Sequence, residues 1–313
     1  MARAFVFPGQ GSQAVGMGRA LAEALPTARH VFEEVDEALK QNLSQMMFDG
    51  PEDQLTLTEN AQPALMAMSV AVMRVLERDG GVEWGKHARF VAGHSLGEYS
   101  ALCATGALRL DDTARLLKRR GQAMQQAVPV GEGAMAALLG LDFEAAVGVA
   151  RDAAEDQVCE AANDNAPGQV VISGNTAAVE RAVELAKERG ARRPMLLPVS
   201  APFHCALMQP AADVMAEALG QSEVVPPAVP VVTNVTAAAV SEPAEIRELL
   251  VRQVTAMVRW RESVLYMRDQ DIDSLVEVGA GKVLTTMLKR IDRAVAGTSV
   301  GDPDGIEAFL KEL

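Results

Sequence analysis

Gly93-His94-Ser95-Leu96-Gly97 sets a serine between two glycines at the point where the apolar run Phe90-Val91-Ala92 gives way to helical spacing from Leu96 to Thr105. G-x-S-x-G between a strand and a helix is the sequence form of a nucleophile elbow. The tight turn lifts the Ser95 hydroxyl clear of the backbone, and glycines on both sides avoid steric clash. The following helix points its first amides and the positive end of its dipole at the reaction centre. The Leu96 amide is therefore placed to donate to a developing oxyanion.

A serine nucleophile needs a base, and the chain has four histidines: His30, His87, His94 and His204. His30 belongs to a charged helical stretch and His87 to a loop-like Trp84-Gly85-Lys86 region. His94 adjoins Ser95, and neighbours at a sharp turn point apart, so it reads as a hydrogen-bonding prop under the turn. By elimination His204 is the base. It follows Ser200-Ala201-Pro202-Phe203, a loop leaving an apolar stretch, and lies after the serine as in α/β-hydrolase order. No acidic residue occupies an obvious position for a third member. An amide or a backbone carbonyl can also hold the imidazole tautomer, and spacing leaves that choice open.

Pro8-Gly9-Gln10-Gly11-Ser12-Gln13 follows the first apolar run. Gly9-x-Gly11-x-x-Ala14 fits a dinucleotide fingerprint, with Glu33 or Glu34 at the distance of the ribose-binding acid. That acid should end a second strand, whereas this region has helical spacing. The alternative is a loop that delivers the Gln10 amide to a site shared with Ser95. Gly279-Ala280-Gly281-Lys282 resembles the tail of a phosphate loop, but Val276 and Val283 stand where a glycine and a Ser or Thr belong. It reads as a strand–turn–helix join. Lys118-Arg119-Arg120 lies late in a helix, where cations suit the dipole. Either all three are solvated, or one arginine turns inward and grips an anionic substrate with two parallel hydrogen bonds. Arg192-Arg193 and Lys289-Arg290 are further basic pairs, candidates for docking an acidic partner.

These residues need a scaffold. Ala4–Phe7, Phe90–Ala92, Val229–Val232 and Ser274–Val278 read as short buried strands. Arg29–Lys40, Pro63–Arg78, Asp111–Gln126, Ala206–Leu219, Pro243–Val254, Arg261–Arg268 and Lys282–Ile291 have helical spacing. Asp111 or Asp112 is the expected N-cap of its helix. Such alternation predicts a parallel sheet covered by helices. Between about Val128 and Leu196 the rhythm becomes β-α-β-β-α-β, a ferredoxin-like unit, with Asn163–Gly168 as a turn-rich link. The expected division is 1–127 plus 197–313 for the core and 128–196 for an inserted subdomain.

With 313 residues, about half of them hydrophobic, the chain can bury a sizeable core. Its net charge of −13 argues against non-specific nucleic-acid binding. Three scattered cysteines lack metal-ligand spacing and fit a reducing compartment. No leader pattern and no run of roughly 18 apolar residues is present, so a soluble cytoplasmic protein is expected, with no membrane span.

The blocks Phe7-Pro8-Gly9-Gln10-Gly11-Ser12-Gln13, Asn60-Ala61-Gln62-Pro63-Ala64, Gly93-His94-Ser95-Leu96-Gly97-Glu98-Tyr99, Asn165–Val171, Phe203-His204 and Glu277–Lys282 occur in this order along the whole chain. Together they resemble the malonyl-CoA:acyl-carrier-protein transacylases. The resemblance implies an α/β-hydrolase-like core with a ferredoxin-like subdomain. It implies Ser95 as the acylated nucleophile, His204 as base, and the main-chain carbonyl of Gln253 as the group that orients it. It further implies the amides of Gln10 and Leu96 as oxyanion hole, and Arg120 as the holder of the malonyl carboxylate. The substrates would be malonyl-CoA and an acyl carrier protein, with no cofactor and no metal. Ala280 departs from the family's usual proline at a turn. Phe203 is similar to the malonyl-selective form of related polyketide acyltransferases. The rivals are a serine hydrolase with the same elbow, a non-catalytic acyl-CoA-binding protein and a dinucleotide oxidoreductase.

Overall fold

A computed structural model describes residues 2–313 of the chain. The apolar run after the N-terminus forms β1 (Arg3–Phe7), completely buried from Ala4 onward, as expected of a strand covered on both faces. Five helices follow, α1 (Arg19–Ala24), α2 (Pro26–Leu39), α3 (Leu43–Asp49), α4 (Glu52–Thr56) and α5 (Thr58–Arg78). The chain re-enters the sheet as β2 (Phe90–Gly93), turns through Ser95 into α6 (Gly97–Ala104), and continues as α7 (Leu110–Gln126).

The chain then builds a second sheet. Its elements are β3 (Gly133–Leu139), α8 (Phe143–Ala154), β4 (Cys159–Ala166), β5 (Gln169–Asn175), α9 (Thr176–Glu188) and β6 (Arg193–Leu196). The strand order is β4-β5-β3-β6, antiparallel throughout. Ala146, Val149, Ala182 and Ile172 are among the residues of its separate apolar core. The first sheet is completed by β7 (Val231–Val232), β8 (Ala239–Val240), β9 (Ser274–Val278) and β10 (Ala296–Val300). Around these strands lie α10 (Gln209–Gly220), α11 (Pro243–Gln253), α12 (Trp260–Asp269), α13 (Val283–Ile291) and α14 (Pro303–Leu310). Its order is β10-β9-β1-β2-β7-β8. The fold is thus an α/β-hydrolase-like core carrying a ferredoxin-like unit.

Four details depart from the sequence reading. The large sheet is parallel except at its edge, where β8 runs antiparallel to β7. α5 begins five residues before Pro63 and keeps the proline inside it, because nearly every residue from Thr58 to Met73 is buried by neighbours that offset the lost hydrogen bond. The N-cap of α7 is Arg109; Asp111 and Asp112 sit in the first turn and pair with Arg115, where carboxylates also suit the dipole. Most consequentially, Asn163, Asp164 and Asn165 are not in a link. They lie in bulged strand β4 and are buried, leaving Pro167-Gly168 as the turn. The two register shifts skip Ala162 and Asn165, and the side chains here find partners outside the sheet, Asp164 pairing with Arg261 at 2.7 Å.

Candidate active site

The elbow is as tight as its glycines imply. Ser95 has φ 53°, a left-handed conformation that costs a non-glycine residue of order 1–3 kcal/mol. A Cβ on Gly93 would lie 1.9 Å from the Gly97 carbonyl carbon, and one on Gly97 would lie 2.2 Å from the Phe7 oxygen. Asn234, after β7, braces the strained turn from both sides. Its Oδ1 accepts from the Ser95 amide at 2.7 Å and its Nδ2 donates to the Gly93 carbonyl at 2.6 Å. Nothing in the local sequence marks Asn234.

Ser95 Oγ lies 2.8 Å from His204 Nε2, although 109 positions separate the two residues. His204 Nδ1 is 2.9 Å from the Gln253 carbonyl and 3.2 Å from that of Ala256. Carbonyls only accept, so Nδ1 carries the proton and Nε2 is left to accept from the serine hydroxyl. His204 is 4% exposed. Burial first, and then the charge of Arg120, depress its pKa from 6.5 to about 3, so the free site holds a neutral imidazole. His94 turns away, with Nε2 2.8 Å from Asn165 Oδ1.

Of the three consecutive cations on α7, only Arg120 turns inward. Lys118 pairs with Glu59 at 2.8 Å and Arg119 with Glu217 at 3.0 Å, both towards the surface. Arg120 is 1% exposed. Nη1 donates to Gln62 Oε1 at 2.9 Å, and Nη2 donates to Gln253 Oε1 at 2.9 Å and to Ser95 Oγ at 3.2 Å. Nε has no partner, and the guanidinium lies 5.7 Å from the Tyr99 ring centre. All its hydrogen-bond acceptors are neutral, so a buried cation stands beside the serine with no carboxylate in contact. The helical phase held this signal, because Arg120 shares its face with Leu116, Leu117 and Met124, which are also buried.

Two backbone amides complete the arrangement. Gly9 packs so closely on the elbow that a Cβ there would meet the His94 oxygen at 2.7 Å. This brings Gln10 beside Leu96 at the wall of one cavity. Neither the Gln10 nor the Leu96 amide donates to a backbone or side-chain group among the described residues, whereas the Ser95 amide is taken by Asn234. The cavity has a volume of about 410 Å³. Ser95, His204 and Arg120 meet there, and Met124, Met135, Val171 and Phe203 supply apolar wall.

The other phosphate-like motifs are accounted for differently. The loop after β1 does not open a helix, since α1 starts only at Arg19, and Glu34 sits on α2 paired with Arg74 at 3.0 Å. A dinucleotide fingerprint needs strand, turn and helix in direct succession. At Gly279–Lys282 the start of α13 is filled by the chain's own carboxylate. Glu277 Oε1 accepts from the Leu284 amide at 3.0 Å, and Oε2 from the Thr285 amide at 2.8 Å and its hydroxyl at 2.9 Å. Among the described residues no cluster of His, Cys, Asp and Glu is suited to a metal ion, and no helix is long and apolar enough to cross a membrane.

The acyl transferase domain family matches residues 4–302. The chain is 45% identical to the malonyl CoA-acyl carrier protein transacylase of Bacillus subtilis, covering 99% of this chain and 96% of that protein. It superimposes with a TM-score of 0.97 on an acyl-carrier-protein-S-malonyltransferase from Bartonella henselae, at 54% identity over 100% and 99% of the two chains. The same TM-score is reached, at 42% identity and complete coverage of both chains, with a malonyl-transacylase solved in complex with its type II PKS acyl-carrier protein. The chain belongs to the acyl transferase domain family, among the malonyl CoA-acyl carrier protein transacylases.

Proposed function

We propose that this chain transfers a malonyl group from malonyl-CoA to the phosphopantetheine thiol of an acyl carrier protein through a malonyl ester of Ser95, supplying fatty acid synthesis. The observation that carries the reading is the buried Arg120 guanidinium, 3.2 Å from the nucleophilic oxygen and without a carboxylate partner. A charged acyl group satisfies it; an uncharged one leaves a buried cation unpaired.

In the first step His204 Nε2 takes the Ser95 proton as Oγ attacks the thioester carbonyl. The Gln10 and Leu96 amides receive the oxyanion, and the Gln253 carbonyl holds the imidazolium that forms. The carbon–sulfur bond breaks, and His204 returns the proton to the coenzyme A sulfur. In the second step the carrier thiol gives its proton to His204 and attacks the ester. The carbon–Oγ bond breaks, and His204 reprotonates Ser95. Protons and bonds balance with no cofactor, since the coenzyme A thioester is itself a substrate. The apolar wall keeps water from the ester, which would otherwise hydrolyse. This reading treats 1–127 and 197–313 as the catalytic core and 128–196 as a small subdomain that covers the site, in a cytoplasmic enzyme.

Intact-mass measurement after malonyl-CoA treatment tests the first step. The chain should gain one malonyl group and lose it on adding carrier protein charged with phosphopantetheine. Release of free malonate at the same rate with or without carrier would identify a serine hydrolase instead.

Arg290 Nη1 donates to Gln169 Oε1 at 3.2 Å, and the sheet register runs Gln169, Leu139, Arg193 across neighbouring strands. Arg192, Arg193, Lys289 and Arg290 are all exposed, which supports docking of an acidic carrier across the two sheets' domains. Neutralising these four is expected to raise the carrier KM roughly tenfold at low salt, with the difference shrinking as salt rises. An unchanged carrier KM and salt dependence would exclude this surface.

A further inference from the structure

The two-step reaction gives no task to Glu98, a carboxyl group on the first turn of α6 that is 1% exposed. Its Oε2 accepts from the Asn234 amide at 2.9 Å and from Gln253 Nε2 at 3.0 Å. It is therefore the junction of two braces. Asn234 supports the elbow, and Gln253 reaches both the cation and the base.

We propose that Glu98 is a positioning residue for substrate selection: as a hydrogen-bond acceptor it fixes the Gln253 side-chain amide, and through that amide it holds Arg120 in place for the substrate's carboxylate. The proposal rests on the reading of Arg120 as the carboxylate clamp. The argument is one of donor and acceptor parity. Gln253 Nε2 donates to the Ser95 carbonyl at 3.0 Å and to Glu98, which leaves Oε1 facing Arg120 Nη2 at 2.9 Å. A flipped amide would set nitrogen against guanidinium and oxygen against two acceptors. Glu98 supplies one of the two acceptors within 3.0 Å that select the working orientation. Without it Nε2 keeps the Ser95 carbonyl at 3.0 Å and a long approach to Asn234 Oδ1 at 3.5 Å, and the guanidinium's partner next to the serine is held less firmly. The main-chain carbonyl of Gln253, which accepts from His204, does not depend on this orientation. Loss of Glu98 should thus weaken selection more than acyl chemistry. Both hydrogen bonds converge on the single oxygen Oε2, so glutamine, which keeps one carbonyl oxygen, offers the same acceptor; burial pushes the carboxyl itself up to about 7.

The test compares kcat/KM for malonyl-CoA and acetyl-CoA, in carrier-dependent transfer, among Glu98→Met, Glu98→Gln and Arg120→Ala. Glu98→Met is expected to lower the malonyl-to-acetyl preference roughly tenfold, and Glu98→Gln to keep it within roughly threefold. If Arg120→Ala loses the preference while Glu98→Met lowers both thioesters by one common factor, the clamp stands and the role of Glu98 is overturned. A Glu98→Gln variant as unselective as Glu98→Met would overturn the acceptor role as well. If Arg120→Ala keeps the preference, clamp and proposal fall together. Should Glu98→Met not fold, Gln253→Met cuts the same link while keeping the carbonyl that holds His204. A malonyl-specific loss there supports the proposal, and an equal loss for both thioesters overturns it.

Discussion

Replacing Ser95 with alanine is expected to lower malonyl transfer by roughly 10⁴–10⁶-fold and to abolish the acyl adduct, with His204→Ala close behind it. The two losses should not add. The hydroxyl and the imidazole share one proton across 2.8 Å, so either change removes the same step. Steady-state transfer by the single and double variants, read beside intact mass, checks this. A variant without Ser95 that still forms an acyl-enzyme would move the nucleophile elsewhere. The pH profile carries a further sign. The base must be neutral, and burial together with Arg120 holds its pKa near 3. The acid limb of kcat/KM for the free enzyme therefore lies well below histidine's ordinary value of 6.5. Removing the nearby positive charge should move that limb upward. An unmoved limb in an Arg120 variant, assayed with an uncharged thioester, would deny the guanidinium its part in the shift.

Arg120→Ala is expected to lower kcat/KM for malonyl-CoA by roughly 10²–10³-fold, about 3–4 kcal/mol, while acetyl transfer falls less or rises. The difference comes from desolvation. Arg120 has already left water and is held by the neutral oxygens of Gln62, Gln253 and Ser95. A carboxylate arriving next to it replaces its lost hydration with a charge-assisted bond, and an acetyl group cannot. Arg120→Met fills more of the vacated space and separates charge from packing. Preference for malonyl-CoA that survives both changes would remove the clamp from the mechanism.

Much of this site could be read along the chain because its central parts are local. A serine between glycines at a strand-to-helix junction specifies its own backbone geometry, and with only four histidines elimination leaves His204, the one that contacts Ser95. The Arg120 face was also present in the helical phase of α7. Asn234 carries no such mark, and Gln62 and Asn165 stand in family-like blocks that assign them no role, because an amide acquires a role only from what is packed against it. The stretch Asn163–Gly168 has the composition of a link yet is strand as far as Ala166 for the same reason. Asn, Asp and Gly favour turns when their side chains bond their own backbone, but here Asp164 bonds Arg261 and Asn165 faces His94 across the boundary. The edge strand β8, and β10 with α14 beyond Ile291, were too short or too weakly patterned to stand out.

By itself the sequence determined the periodicities, hence the elements and the two-sheet plan, and the sharp bend that presents Ser95, since both depend on neighbours within a few residues. Spacing alone leaves open which cation turns inward, which carbonyl bonds the imidazole and which amides stay free, and only the tertiary structure brings these groups together. Those outcomes depend on distances between residues more than a hundred positions apart, such as Ser95 with His204 and Arg120 with Gln253, and on burial, which makes an unpaired charge costly.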